Sequence, residues 1–435
     1  MCKHYLFHQH VRLMTILSVL TCVSLFNMPP VAFGQQSSAP ATVTIWGWDE
    51  KSTVPLLPEF EKTYPDIKIN YVTFASDSEC MQAFKAAYAT GEKLPDIMWL
   101  EIQAIGEFLE MDIWERLDAP PYQADPALEF ESLHPSIKNA KGELIGLRWD
   151  LPISGLAYRR ELANIFFGTD EPEALEAMLP TWDAVFAKAV ETRKQHGDLF
   201  LFASLKDAFR VIDGQNSTPM FDGDTMNFQN TIGRTYERLV AMRDAGLVDA
   251  LLQWTTEWNA SFTQKKHLFY PCPTWFPHFV IESNDPQGKG AWGMMTPPEG
   301  GFFWGGTILA IPKQSEEKEA AWKFLRWFLF SQEGGNANKQ ANGVFIGFKP
   351  LYDNPEFASY HSDWFGAQDL GQKWFRDIAP KASPVRPPSK YDAVVSEINN
   401  LILQALSEDP NMTLQDALTG FKEELAARLP ELRIN

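Results

Sequence analysis

The first sixty residues after a polar leader alternate between two hydrophobic periods, and this alternation constrains the fold more than any other feature. Val43 and Ile45 repeat every second residue in the stretch 42–50, Thr-Val-Thr-Ile-Trp-Gly-Trp-Asp-Glu, as a half-buried strand does. A helix follows, with Thr53 as cap, Pro55 in its first turn and Leu56, Leu57 and Phe60 as its inner face. Ile67, Ile69, Tyr71 and Val72 read as a second strand, residues 81–88 as a helix stopped by Gly91, and residues 96–100 as a third strand. Strand–helix–strand–helix–strand is the pattern of a parallel sheet covered by helices. The fold class is therefore α/β.

Ligands of open α/β sheets sit beyond the carboxyl ends of the strands. That rule makes Trp46, Trp48, Asp49 and Glu50 candidates after the first strand and Glu101 a candidate after the third. The competing readings are that the tryptophans belong to the core and that Glu101 is a helix-start acid favoured by the dipole.

Farther along, two extended segments, 144–150 and 156–159, are joined through Pro152 and Gly155, as a hinge or crossover would be. A second α/β pattern follows, with a helix capped by Thr181, a strand at 199–203 and a helix at 231–245. Aromatic residues then concentrate at Trp254, Trp258, Phe262, Phe269, Tyr270, Trp275 and Phe276; Trp275, between Pro273 and Pro277, fits neither helix nor strand easily. Gly305 and Gly306 follow Trp304 and precede an apolar run at 307–311. Helices at 315–331, 391–406 and 413–429 complete the pattern.

Residues 1–34 carry Lys3 and Arg12 but no acid, then an apolar run at 13–26 and small residues at Ala32 and Gly34. This is the pattern of a secretory signal peptide, its run shorter than the ~20 residues a permanent span needs. Lipid attachment at Cys22 is disfavoured by the bulk of Thr21. Removing residues 1–34 takes away two cations and no acid, so the formal charge of −18 becomes −20. Such a surface repels nucleic acid and anionic membrane and argues against an anionic ligand. Cys80 and Cys272 remain and are read as buried, unpaired thiols.

The sequence contains no Gly-x-Ser-x-Gly, His-Glu-x-x-His, Cys-x-x-Cys or Walker loop. His134, His196, His267, His278 and His361 show no ligand spacing. No catalytic residue, metal or cofactor is expected, although a glycosidase's carboxylate pair is not legible in sequence.

In their order, residues 43–46 with 57–65, Leu94-Pro95-Asp96-Ile97, 109–118, Leu151-Pro152 with Leu156-Ala157-Tyr158, Leu179-Pro180-Thr181-Trp182, Gly305-Gly306 through Ile311, and 319–334 resemble the bacterial extracellular solute-binding proteins of family 1, the group of maltose-binding protein. The chain departs from the common pattern at 265–269 and at Pro271-Cys272-Pro273, before Trp275. The resemblance implies a two-lobed periplasmic-binding-protein fold of the maltose-binding-protein type, with a hinge and discontinuous lobes. Residues 40–149 and 303–345 would form one lobe, and residues 150–302 and 346–435 the other. It further implies a monomeric periplasmic receptor that captures a sugar or oligosaccharide and delivers it to the permease of an ABC importer. Polyol, polyamine or glycerol-phosphate binding, a secreted glycoside hydrolase and a purely structural surface protein are the alternatives. For a sugar, with its apolar face and hydroxyl rim, Trp46, Trp48, Trp275 and Trp304 are the stacking candidates. Asp49, Glu50, Glu101 and Asp150 are the acceptors, and Gly305 and Gly306 allow close backbone approach.

Overall fold

In the computed structural model, which describes residues 40–435, the alternating stretch forms strand Ala41–Gly47 with Val43 and Ile45 fully buried. It pairs in parallel with Ile67–Thr73 on one side and Ile97–Glu101 on the other. The signal-peptide and Cys22 readings lie outside the described residues. Helix Asp77–Thr90 ends on left-handed Gly91, which only glycine adopts without cost.

The start of the first helix differs from expectation. Its cap is Asp49, whose carboxylate accepts from the Ser52 amide at 3.2 Å, while Thr53 is buried inside the helical run. A carboxylate at the strand's end reaches the first free N–H groups before a residue four places on can do so.

Two later segments complete this sheet. Thr307–Ala310 lies antiparallel between Ile97–Glu101 and Leu147–Arg148. The following helix, Lys318–Leu329, turns Phe324 and Trp327 onto Phe60, with ring centroids 5.1 and 5.5 Å away. It begins after Ser315 because that hydroxyl is held by Asp96 at 2.6 Å and accepts from Glu317 N.

A second sheet is built around Ile153–Arg159, which is antiparallel to Trp292–Met295, to Phe302–Phe303 and to His267–Pro273; Phe200–Phe202 forms the parallel edge. Gly155 is therefore a strand residue and not a link. A side chain there would run into Met294 and Ile378 at 2.7 and 2.8 Å, so its glycine serves close packing. The chain passes between the sheets at 149–152 and again at 304–306. These passages are tied side by side, with Trp149 N donating to Thr307 O at 2.9 Å and Trp304 N to Pro152 O at 3.1 Å. A third stretch of chain joins them where Leu151 N donates to Phe345 O at 2.8 Å.

Helix Leu414–Arg428 opens on a capping box formed by Thr413 and Asp416. Helix Asp392–Glu408 packs on helix Leu205–Gly214 of the second sheet's cover and on the turn that follows strand Ile97–Glu101 of the first. Residues 40–435 are accordingly one compact unit. Cys80 and Cys272 are buried and unpaired. Among the described residues no helix is long and apolar enough to cross a membrane.

Candidate functional site

Where the chain crosses at 304–306, Gly305 and Gly306 have φ of 79° and 120°. Residues with a Cβ avoid that region. The two glycines bring backbone against side chains from both sheets: a Cβ on Gly305 would touch the Trp275 ring at 3.6 Å, and one on Gly306 would stand 2.5 Å from Arg148 Nη2.

The second aromatic concentration converges here. Trp304 meets Trp275 edge to face at 5.2 Å, Phe276 at 5.7 Å and Trp254 at 6.0 Å, and Trp254 stacks on Trp275 with 24° between planes. Trp304 is 4% exposed and Trp254 48%, so the wall runs from core to solvent. Trp254 holds φ at 72°, a left-handed conformation that costs a non-glycine residue ~1–2 kcal/mol. Beneath it, the buried Trp258 donates its indole N–H to Asp207 at 2.8 Å. Asp207 also accepts from Gln253 and Ser204.

Beside Trp304 lies a cavity of about 230 Å³ that also has Gln103, Arg148, Lys206, Arg210 and Asn399 in its lining. Helix Leu205–Gly214 contributes through one face, since Lys206, Arg210 and Asp213 stand at i, i+4 and i+7. Helix Asp392–Glu408 contributes Ser396 and Asn399 in the same way. Arg210 donates to Gln103 Oε1 at 2.7 Å and lies 5.5 Å over the Trp304 ring. Burial, reinforced by the neighbouring Arg210 charge, pulls Lys206 down to about 8. Burial also lowers Arg148 and Arg210 from the usual guanidinium range.

Of the residues expected from sequence, Trp304 and Gly305 line the cavity, Gly306 backs it against Arg148, and Trp275 stands in the aromatic wall. Glu101 lies one step behind: it caps the turn Ile102–Ala104, accepts from Gln103 N and Nε2, and is pushed by burial to about 8. Asp150 is buried and uses Oδ1 on Thr307 N at 2.7 Å, which fixes the two crossings together. Burial holds its carboxyl above the ordinary range.

Trp46, Trp48, Asp49 and Glu50 do not line this cavity. Trp46 packs on Phe74 at 5.3 Å and Trp48 meets Trp99 edge-on at 5.5 Å. The Asp49 carboxylate is engaged as a cap, and exposed Glu50 accepts from Thr73 Oγ1 at 2.8 Å. Asp49 nonetheless lies within electrostatic reach of His278, which opposes the upward push of burial on its carboxyl.

Sequence reasoning did not select Trp254, Gln103, Arg148, Lys206, Arg210 or Asn399. The Lys206–Arg210 pair left a usable signal, two cations four apart on a helix. Among the described residues no group of His, Cys, Asp and Glu could hold a metal.

Residues 56–362 match the family described as bacterial extracellular solute-binding protein. The arabinooligosaccharide-binding protein of Bacillus subtilis (strain 168) is 25% identical over 336 residues, 72% of this chain and 74% of that protein. A solved extracellular solute-binding protein of family 1 superposes with a TM-score of 0.79 at 20% identity, over 89% of this chain and 99% of its own. The galacto-N-biose/lacto-N-biose I-binding protein of a Bifidobacterium longum ABC transporter, solved with lacto-N-biose, gives a TM-score of 0.71 at 17% identity, over 91% and 99%. The α/β architecture is that of the two-lobed solute-binding proteins.

Proposed function

Because the chain belongs to the bacterial extracellular solute-binding protein family, whose members are binding proteins, we propose that it captures a saccharide beside the 304–306 crossing and hands it to the permease of an ABC importer without chemical change. The observation that carries this reading is the wall of Trp254, Trp275 and Trp304, which meets at Trp304 a cavity rimmed with amide, hydroxyl and charged groups. A pyranose presents an apolar face to indole and a hydroxyl rim to such groups.

The lobes are read as residues 40–149 with 303–345 and residues 150–302 with 346–435. Ligand contacts from both would shift the equilibrium toward a closed form, by no more than the difference in affinity for the two states. In this reading Trp275, Trp304, Gly305 and Gly306 contact ligand in the cavity, while Trp46, Trp48, Asp49 and Glu50 approach it from the facing strand end on closure. Glu101 and Asp150 support the site from behind. The receptor is monomeric and works in the periplasm, residues 1–34 serving as its signal peptide.

The test is calorimetric titration of the mature protein against neutral and acidic mono-, di- and trisaccharides, with the sugar recovered and analysed afterwards. Saturable binding of one sugar class, with intact sugar recovered, is expected. Trp254→Ala should weaken it about 10- to 100-fold, the span of a lost aromatic platform. Unchanged affinity in folded Trp254→Ala and Trp275→Ala proteins would remove the wall from the binding site, and hydrolysed sugar would overturn the receptor reading.

A further inference from the structure

We propose that the saccharide carries an oxyanion, a carboxylate or a phosphate ester, seated on Arg148, Lys206 and Arg210; this rests on the receptor reading above. Four cations line the cavity, Arg148, Lys206, Arg210 and Arg386, against two carboxylates, Asp213 and Asp392. Asp213 is taken by Arg386 in an ion pair, and Asp392 accepts from the Ser389 amide at 2.6 Å. Among the described residues, no carboxylate oxygen lies within the 4.0 Å ion-pair distance of the Arg148, Lys206 or Arg210 side-chain nitrogens.

The donors are also underused. Arg148 is 1% exposed and gives Nη1 to Ser136 Oγ at 3.2 Å, but its Nε has no hydrogen-bond partner. Arg210 gives Nη1 to Gln103, and its Nε is likewise without a partner. Burying charge without a partner is costly, and a neutral sugar's hydroxyls would be served by the Asn and Ser side chains already present. Guanidinium forks suit carboxylate and phosphate oxygens, which they bind with charge-assisted bonds.

Carboxylates do stand behind the cations. Glu101, Glu129 and Asp150 face Arg148; Glu101, Asp213 and Asp207 face Arg210; Asp77 and Asp207 face Lys206. Burial pushes Glu101 and Glu129 to about 8 and raises Asp150 and Asp207, so near neutral pH Glu101 and Glu129 are largely uncharged and give Arg148 and Arg210 little compensation. The charge of the whole chain, −18, sets the surface field and not the sign at this spot.

The experiment titrates the mature wild-type protein, Arg210→Gln and Lys206→Met with a uronic-acid disaccharide, the matching neutral disaccharide and a hexose phosphate, at low and high salt. Thermal melts confirm folding. The wild type should prefer one of the acidic sugars over the neutral one by about 100-fold and lose affinity as salt rises. Each variant should lose about 10- to 100-fold for that acid, as expected for a charged hydrogen bond, and several-fold less than that for the neutral sugar. Preference for the uronate identifies a carboxylate, and preference for the hexose phosphate identifies a phosphate. Neutral-sugar binding that is equal or tighter, or variants that lose both ligands alike, would overturn the oxyanion while leaving the receptor standing. Silence toward every sugar would instead overturn the receptor reading.

Discussion

Glu129 is a single carboxyl whose removal tests the electrostatics around Arg148. It is 2% exposed, its Oε1 accepts from Arg148 N at a long 3.4 Å, and its Oε2 has no partner. Burial outweighs the attraction of Arg148 and carries the carboxyl from 4.5 to about 8. Between those values the folded protein holds a proton that the unfolded chain has released. Stability therefore falls as pH rises through the window, and levels off above about 8. At about 1.4 kcal/mol per tenfold change in proton affinity, the gap is worth roughly 5 kcal/mol at most. A glutamine side chain reproduces the uncharged form and keeps an oxygen for Arg148 N. Glu129→Gln should thus match the wild type at pH 5 and exceed it by on the order of 3–5 kcal/mol at pH 8.5. An unfolding entropy of about 2.1 cal/mol/K per residue over about 400 residues converts this to a midpoint difference of ~5 °C. Calorimetry at pH 5, 6.5 and 8.5 measures it. A difference that stays constant with pH, or a wild type that is the more stable at pH 8.5, would mean that Arg148 keeps Glu129 ionised in the fold and has a charged partner behind the cavity.

Gly306→Val should lower stability by about 3 kcal/mol or more, because φ of 120° excludes a β-branched residue and its Cβ would press on Arg148 and Pro152 at 2.5 and 3.1 Å; a thermal midpoint within a degree of wild type would contradict this. Cys80 and Cys272 are buried, and burial pushes the Cys80 thiol to about 12 and the Cys272 thiol well above its ordinary value. A disulfide reagent should label neither in the native mature protein on the minute timescale and both after unfolding. Fast native labelling would refute the burial, and no labelling after unfolding would reveal a disulfide.

The three parallel strands that open the first sheet were legible because Val43 and Ile45 repeat with a period that a buried strand requires and a helix cannot satisfy; the antiparallel Thr307–Ala310 beside them was not. A close backbone approach at Gly305-Gly306 was legible as well, since adjacent glycines after an aromatic run signal it; that the approach is to Trp275 and Arg148 was not. The acids were harder to read for a physical reason. A carboxylate just past a strand is the right group for a ligand and equally for a backbone N–H, and Asp49, before a helix, and Asp150, between two strands, both have such N–H groups within reach. Local sequence holds nothing that separates these uses; only the position of the competing N–H does, and for Asp150 that N–H is Thr307, 157 residues away. Trp254 was hidden differently, because its left-handed backbone is imposed by surroundings and has no glycine to announce it.

The sign of the site follows from the same limit. A net charge adds groups wherever they lie, whereas the field in a cavity depends on which few converge and on which of their neighbours remain ionised. Lys206 and Arg210 share a helix face, but Arg148 joins them from strand Leu147–Arg148, 58 residues earlier in the sequence than Lys206. Two of their nearby acids, Glu101 and Glu129, are pushed by burial to about 8. An acidic chain can therefore hold a cationic pocket without contradiction. Its surface repels anions at long range, but screening confines that repulsion to about 8–10 Å at physiological salt. Within that range the unpartnered guanidinium donors of Arg148 and Arg210 dominate what a ligand meets.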